Sequence, residues 1–375
     1  MRAKHPVPPA VLLSLAFALA TISGSSYAAS PSEPLFRGDL TVMTWNVYFG
    51  FDEGPLLGAA PDEIPGRVDE AWQAIHATDF RVRARDIVRR IVETRPDLVA
   101  LQEAARYELL DPGLPEPVEV IDFVEILLAE LEDAHRPYVV TAVSEETDVS
   151  LPNTTGQYVR LLDREVILVT AGRHGPPVPK ISNPQNANFT NLLTICLVPD
   201  PSSPEGCAIP LTVKRGWASV DVEGRNGSYR FVTTHLEDVT PDSPPELQQL
   251  QLAQAAELLT APLGTPMRAV LVGDFNSDAH ASWPAYAFLT GAPPAGMGLT
   301  DLWLMARPRD PGLTWGQAPD LLNPFPEFTR RIDLILLKGR FRILGARLVG
   351  DRRADRAGSG LWPSDHAGIV ATLVP

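Results

Sequence analysis

The chain has 375 residues, 45% of them hydrophobic, with 27 Gly, 37 Pro and a mean hydropathy of −0.02. That balance is globular and excludes a disordered chain or a repetitive fibre. A formal net charge of −14 argues against a broad basic groove for nucleic acid, but not against a site where metal ions and a few arginines handle phosphate.

Residues 1–28 have the form of an export signal. Arg2 and Lys4 precede the apolar run AVLLSLAFALATI (10–22), which is too short to span a bilayer. Small residues at Ser26 and Ala28 put cleavage after Ala28. No later stretch is long and apolar enough to span. The expected product is secreted or periplasmic and monomeric, with a short flexible 29–35 segment and one domain over 36–375.

Eight short runs rich in Val, Ile, Leu and Thr read as buried strands: LTVMTW (40–45), DLVAL (97–101), EVILVT (165–170), WASVDV (217–222), YRFVTT (229–234), RAVLVG (268–273), IDLILL (332–337) and GIVATLV (368–374). Helical spacing lies between some of them. DFRVRARDIVRRIVETRP puts Phe80, Ala84, Ile87, Val88, Ile91 and Val92 on one face, with Pro96 just beyond its end. Residues 117–135 read similarly. A third helix covers 243–260, where Ser243 and Glu246 have capping-box spacing. Long loops are expected at 105–160, 171–212 and 311–330. Cys196 and Cys207 flank the turn-rich LVPDPSSPEG, and in an exported chain such a pair predicts a disulfide.

The strands share a way of ending. TVMTWN stops on Asn46, DLVALQE on Gln102 and Glu103, RFVTTH on His235, and AVLVGDFN on Asp274 and Asn276, while Ser364-Asp365-His366 precedes the last strand. In open α/β sheets the ligand site lies outside the carboxyl ends of the strands. Polar side chains at several such ends therefore predict one constellation. Asn46, Glu103 and Asp365 offer hard oxygen ligands, which suit Mg²⁺, Mn²⁺ or Ca²⁺ and disfavour Zn²⁺. Gly273 is expected to let the backbone pass close to a bound group.

In this order TWNV, DLVALQE, REVILV, TTHLE, GDFNSD, RRIDLILL and SDHAGIV resemble the endonuclease/exonuclease/phosphatase superfamily, over about 330 residues. The resemblance implies a four-layer α/β/β/α sandwich of two stacked mixed sheets. It implies Glu103 and Asn46 as ligands of a Mg²⁺ (or Mn²⁺ or Ca²⁺) ion, with Asp365 near it. It makes Asp274 the group that orients or deprotonates water, puts Asn276 and His366 on the phosphate, and gives Asp333 the task of fixing the His366 tautomer. His235 faces the phosphate or the leaving group, with Arg215 as a further cation. Asp163 and Glu165 both qualify as the acid behind His235. Asp301 and Trp315 read as structural.

The activity implied is a metal-dependent phosphodiesterase, a nuclease first. A phospholipid phosphodiesterase of sphingomyelinase type and a phosphatase on a small metabolite are the alternatives. A non-catalytic secreted binding protein on this fold would be expected to have lost members of the polar set, and here the set is complete.

Overall fold

Each of the eight apolar runs falls in a strand, with only Asp97 and Ile332 left outside: Leu40–Asn46, Leu98–Gln102, Tyr158–Thr170, Gly216–Gly224, Gly227–His235, Arg268–Asp274, Asp333–Lys338 and Gly368–Val374. The computed structural model describes residues 39–375 apart from 173–178, 201, 204–205, 225–226, 241, 282 and 357. The export signal read in 1–28 and the 29–35 segment lie outside the described residues.

The strands form two large mixed sheets. The first runs Arg342–Val349, Gly368–Val374, Leu40–Asn46, Leu98–Gln102, Tyr158–Thr170, Arg106–Leu110, Glu119–Asp122, and Tyr138–Pro152 also pairs with Tyr158–Thr170. The second runs Thr300–Asp301, Asp333–Lys338, Arg268–Asp274, Gly227–His235, Gly216–Gly224, Lys180–Asn188. A separate hairpin joins Leu193–Pro199 to Cys207–Val213, and the Cys196–Cys207 disulfide ties its two strands.

The period-2 alternation of each strand divides its side chains between cores. Val42, Leu98, Ala100, Ile167 and Val169 of the first sheet meet Val220, Phe231, Val270, Val272, Ile335 and Leu337 of the second. Their neighbours Met43, Val99, Leu101 and Leu168 face outward, onto Phe80, Ala84, Ile87, Ile91, Phe123 and Leu127 of helices Phe80–Thr94 and Phe123–Asp133. On the other side Val232, Leu271 and Leu334 meet Ala255, Leu258 and Leu289 of helices Pro245–Thr260 and Pro284–Thr290. The result is the four-layer α/β/β/α sandwich that the resemblance implied.

Several local expectations are corrected. The 105–160 stretch is not loop: it carries Arg106–Leu110, Glu119–Asp122 and the 15-residue strand Tyr138–Pro152. Among its described residues the 171–212 stretch carries three strands. These strands are half-exposed and polar, so their composition resembles loop while neighbouring strands supply the pairing. The 117–135 helix starts only at Phe123, because Asp122 ends a short strand and caps the helix through Val124 N and Glu125 N. The capping box at Ser243 does not form. Pro244 is the N-cap, and Ser243 Oγ accepts from Thr240 N at 2.8 Å instead. Among the described residues no helix is long and apolar enough to cross a membrane.

Candidate active site

The face between the sheets is apolar along most of its length and turns polar at one end. Residues of the same parity as the inter-sheet core are Asn46, Gln102, Glu165, His235, Asp274 and Asp333. Register brings them into rows. Asn46 pairs with Gln102 in the first sheet, and His235 with Asp274 and Asp274 with Asp333 in the second. Strand ends far apart in the chain thus share one site because each strand keeps its period-2 phase to its last residue.

Asn46 is fully buried and joins two carboxylates. Its Nδ2 donates to Glu103 Oε1 at 2.8 Å and to Asp274 Oδ2 at 3.1 Å, while its Oδ1 accepts from Tyr48 N at 2.9 Å. Glu103 Oε2 accepts from Phe49 N at 2.8 Å. Glu103 has φ of +54° and Asn276 φ of +46°, a left-handed conformation that costs a side-chain-bearing residue on the order of 1–3 kcal/mol. Both lie where a strand turns to present a polar side chain.

Asp365 keeps 13% of its side chain exposed, beside Ser364, whose Oγ donates to Asn46 O at 2.7 Å. Burial and the charge of Asp365 push the Glu103 carboxyl well above its usual range; burial also raises Asp365, against the pull of His366 and Arg83. Two adjacent carboxylates at an accessible rim, both costly to ionise alone, fit a hard divalent cation. Asn46 meets Glu103 and Asp274, not Asp365, through its amide nitrogen, so in this arrangement it positions those two carboxylates.

Asp274 is 1% exposed and accepts from Asn276 N at 2.8 Å. Burial and the neighbouring Asp333 raise its pKa to about 7, against the opposing charge of His366. Its Oδ2 lies 3.6 Å from His235 Nε2 and 3.7 Å from His366 Nε2. Asp333 Oδ2 holds His366 Nδ1 at 2.8 Å. Burial lowers the His366 pKa, but Asp333 and Asp365 outweigh it and raise it well above the usual histidine range. Asp274, Asp333 and His366 each present a ligand-type atom, all within 4.8 Å of one another.

His235 has the opposite electrostatics. Burial, Arg215 and His366 all drive its pKa well below the usual value, so the ring is neutral. Asn276 Nδ2 lies 3.1 Å from Nε2, and Arg215 Nη1 lies 3.0 Å from Nδ1. Arg215 is 5% exposed and sits on the side of the ring away from Asp274 and Asn276. The two acids behind the ring differ in partner. Glu165 Oε1 is 3.6 Å from Nδ1, whereas Asp163 Oδ2 is 3.4 Å from Arg215 Nη1.

Gly273 is needed for a different reason than expected. With φ of +139°, a Cβ there would stand 1.9 Å from Thr234 O of the adjacent strand, so the close approach is to protein backbone. Asp301 is structural: it caps helix Leu302–Ala306 and accepts from Tyr286 and Arg331. Trp315 is half-buried, pairs by backbone with His366, and stacks on the Arg330 guanidinium at 4.4 Å, with Trp283 5.7 Å from the same group.

Arg83 escaped the sequence reading. It is fully buried, and its guanidinium donates to Thr78 O, Val47 O, Pro363 O and Tyr48 O at 2.6–3.1 Å. It thereby ties the loop after Asn46 to the loop before Asp365. The signal was present, since Arg83 stands three residues after Phe80 on the helix face that also carries Ala84 and Ile87.

Over residues 43–366 the chain matches the Endonuclease/Exonuclease/phosphatase family. No curated protein matches it in sequence. Among solved structures, an endonuclease/exonuclease/phosphatase family protein from Leptotrichia buccalis C-1013-b is similar with a TM-score of 0.54 at 16% identity, over 89% of this chain and 99% of that one. The endonuclease/exonuclease/phosphatase from Beutenbergia cavernae DSM 12333 is similar with a TM-score of 0.49 at 21% identity, over 90% and 72% of the two chains. Truncated TDP2 from Caenorhabditis elegans gives 0.44 at 16% identity, over 90% and 98%. At its identity the first likeness speaks for the fold.

Proposed function

The chain belongs to the endonuclease/exonuclease/phosphatase family, and on that premise we propose that it is an exported, divalent-metal-dependent phosphodiesterase acting as a nuclease. The observation that carries the reading is a pair of buried groups with opposed charge preferences. Asp274 is a carboxyl with a pKa of about 7, and His366 is an imidazolium held by Asp333 at 2.8 Å.

Phosphodiester hydrolysis needs an activated water, neutralised phosphoryl oxygens and help for the leaving oxygen. Glu103, positioned by Asn46, and Asp365 would hold the cation, and a Mg²⁺ or Mn²⁺ there would supply charge neutralisation. Asp274 is aligned by Asn46 Nδ2 and Asn276 N, and its pKa suits a base working near neutral pH. His366 donates from Nε2 to a phosphoryl oxygen while Asp333 keeps Nδ1 protonated. Neutral His235 supplies a hydrogen-bonding ring beside Asp274 without adding charge. The half-buried Trp315, paired by backbone with His366 and stacked on the Arg330 guanidinium, supports a nucleic-acid substrate, because bases stack on indole and guanidinium planes.

A phospholipid substrate has one observation in its favour. Leu322 and Phe325 are 52% and 61% exposed, and the Arg353 guanidinium lies 5.4 Å from the Phe325 ring. An apolar and basic loop of this kind suits a membrane surface.

The test is a panel of plasmid DNA, RNA, sphingomyelin, inositol phosphates and bis-nitrophenyl phosphate, with and without added divalent metal, for wild type and Glu103→Gln. Cleavage of DNA or RNA that EDTA abolishes and Glu103→Gln loses is expected. Turnover only of sphingomyelin moves the reading to the lipid alternative, and no metal-dependent turnover of any ester rejects the enzyme. Mass spectrometry of the exported protein is expected to find a chain beginning after Ala28.

A further inference from the structure

Behind His235 the inter-sheet face continues into a second polar cluster. Glu146 (1% exposed), Glu165 (0%) and His235 (1%) each present a ligand-type atom, all within 4.8 Å of one another. Ala142 lies in the inter-sheet core, and Glu146 stands four residues on in the same strand, so its parity points it there. The charges of Glu165, Asp163, Arg215 and Glu237 all act on Glu146.

The hydrogen bonding of this cluster does not close. Glu146 Oε1 and Oε2, Glu165 Oε1, Asp163 Oδ1 and Glu237 Oε2 are buried with no partner, and on the donor side of the cluster Arg215 Nε is the unpartnered atom. Five bare acceptors face one bare donor, so the cluster is completed either by protons on its carboxyls or by a bound cation. We propose that Glu146, Glu165 and His235 bind a divalent transition-metal cation such as Mn²⁺, at a site separate from the Glu103–Asp365 centre.

The donor set selects the ion. Two carboxylates alone would accept Mg²⁺ or Ca²⁺, but an imidazole nitrogen favours a transition ion. Glu146 also lines a cavity of about 510 Å³ together with Glu145, Asp148, Asn186, Asn188 and Lys214, while its two carboxylate oxygens are buried behind it. Arg215 competes for the same face of the ring, since its Nη1 is 3.0 Å from Nδ1. When the cation is present, the bare oxygens of Asp163 and Glu237 are there to receive the guanidinium. A cation on Nδ1 leaves the proton on Nε2, which faces Asp274, the same tautomer that donation from Arg215 Nη1 to Nδ1 requires.

Crystals of the protein soaked in MnCl₂ and measured above the manganese absorption edge are expected to show an anomalous peak bounded by Glu146, Glu165 and His235. In solution Glu146→Gln, with a melting temperature confirming that it folds, is expected to bind one equivalent of Mn²⁺ fewer than wild type in equilibrium dialysis. Glu103→Gln is expected to keep that equivalent. No peak at this position in saturated wild-type crystals overturns the proposal, whether or not the Glu103 centre fills. So does an unchanged stoichiometry in folded Glu146→Gln. If Glu146→Gln does not fold, the crystal result decides alone.

Discussion

Asp274 is where a turn residue and a base can be told apart. Asp274→Asn keeps the shape and an acceptor for Asn276 N, so the left-handed turn at Asn276 stands. It removes the charge that the raised pKa holds ready near neutral pH. General-base contributions run at roughly 10²–10⁴-fold, so kcat is expected to fall by at least ~100-fold. Metal affinity should survive, since Glu103 and Asp365 remain. Parallel measurement of kcat, metal affinity and melting temperature separates the roles: unchanged kcat makes the stretch a turn, and a lost metal site makes Asp274 a ligand.

Helix Phe80–Thr94 shows how an element outside the sheets shapes the site. Its apolar stripe packs on Trp45 and Leu101, and Arg83 within that stripe holds four loop carbonyls. Burial pulls the Arg83 pKa down to about 10, so the guanidinium stays charged at neutral pH. Arg83→Lys keeps the charge but cannot span carbonyls on both loops with one ammonium. Breaking a buried charged network typically costs about 3–5 kcal/mol, and a loss of that order is expected in denaturant unfolding. A fall in kcat is expected with it, because Asn46 and Asp365 lose their common strap. Wild-type values for both would show that the loops hold their positions without it.

Across the whole molecule the buried carboxyls give stability a pH dependence. Asp274 and Glu53 titrate at about 7 and Asp163 at about 6, each raised first by burial. A carboxyl whose folded pKa is raised binds its proton more tightly when folded. Its contribution is therefore full below its unfolded value and is lost as pH climbs through the folded one. His235, lowered by burial, works against folding when pH falls below ~6.5, one group against these carboxyls. The metal-free melting temperature is expected to fall between pH 5 and pH 8. Added Mg²⁺ or Mn²⁺ should raise it more at pH 8, where protons no longer compete for the carboxylates. Differential scanning calorimetry checks this, and an equal gain at both values would mean that the carboxyl clusters are not where the metal binds.

The buried strands were legible because they sit in the middle of sheets and are apolar on one face or both, and an apolar run needs no tertiary information to be seen. Their polar endings were legible for the same reason: Asn46, Glu103, His235, Asp274 and Asp333 interrupt or follow such runs. The edge strands Tyr138–Pro152 and Lys180–Asn188 were not, because backbone pairing, and not composition, makes them strands. Asp163 and Glu165 share one parity, so sequence left both behind His235; only packing gave Glu165 the ring and Asp163 the guanidinium. Gly273 could be singled out from the chain, but what crowds it is a carbonyl of another strand. Local chemistry decided which residues end the strands; the register between strands decided which of those ends meet.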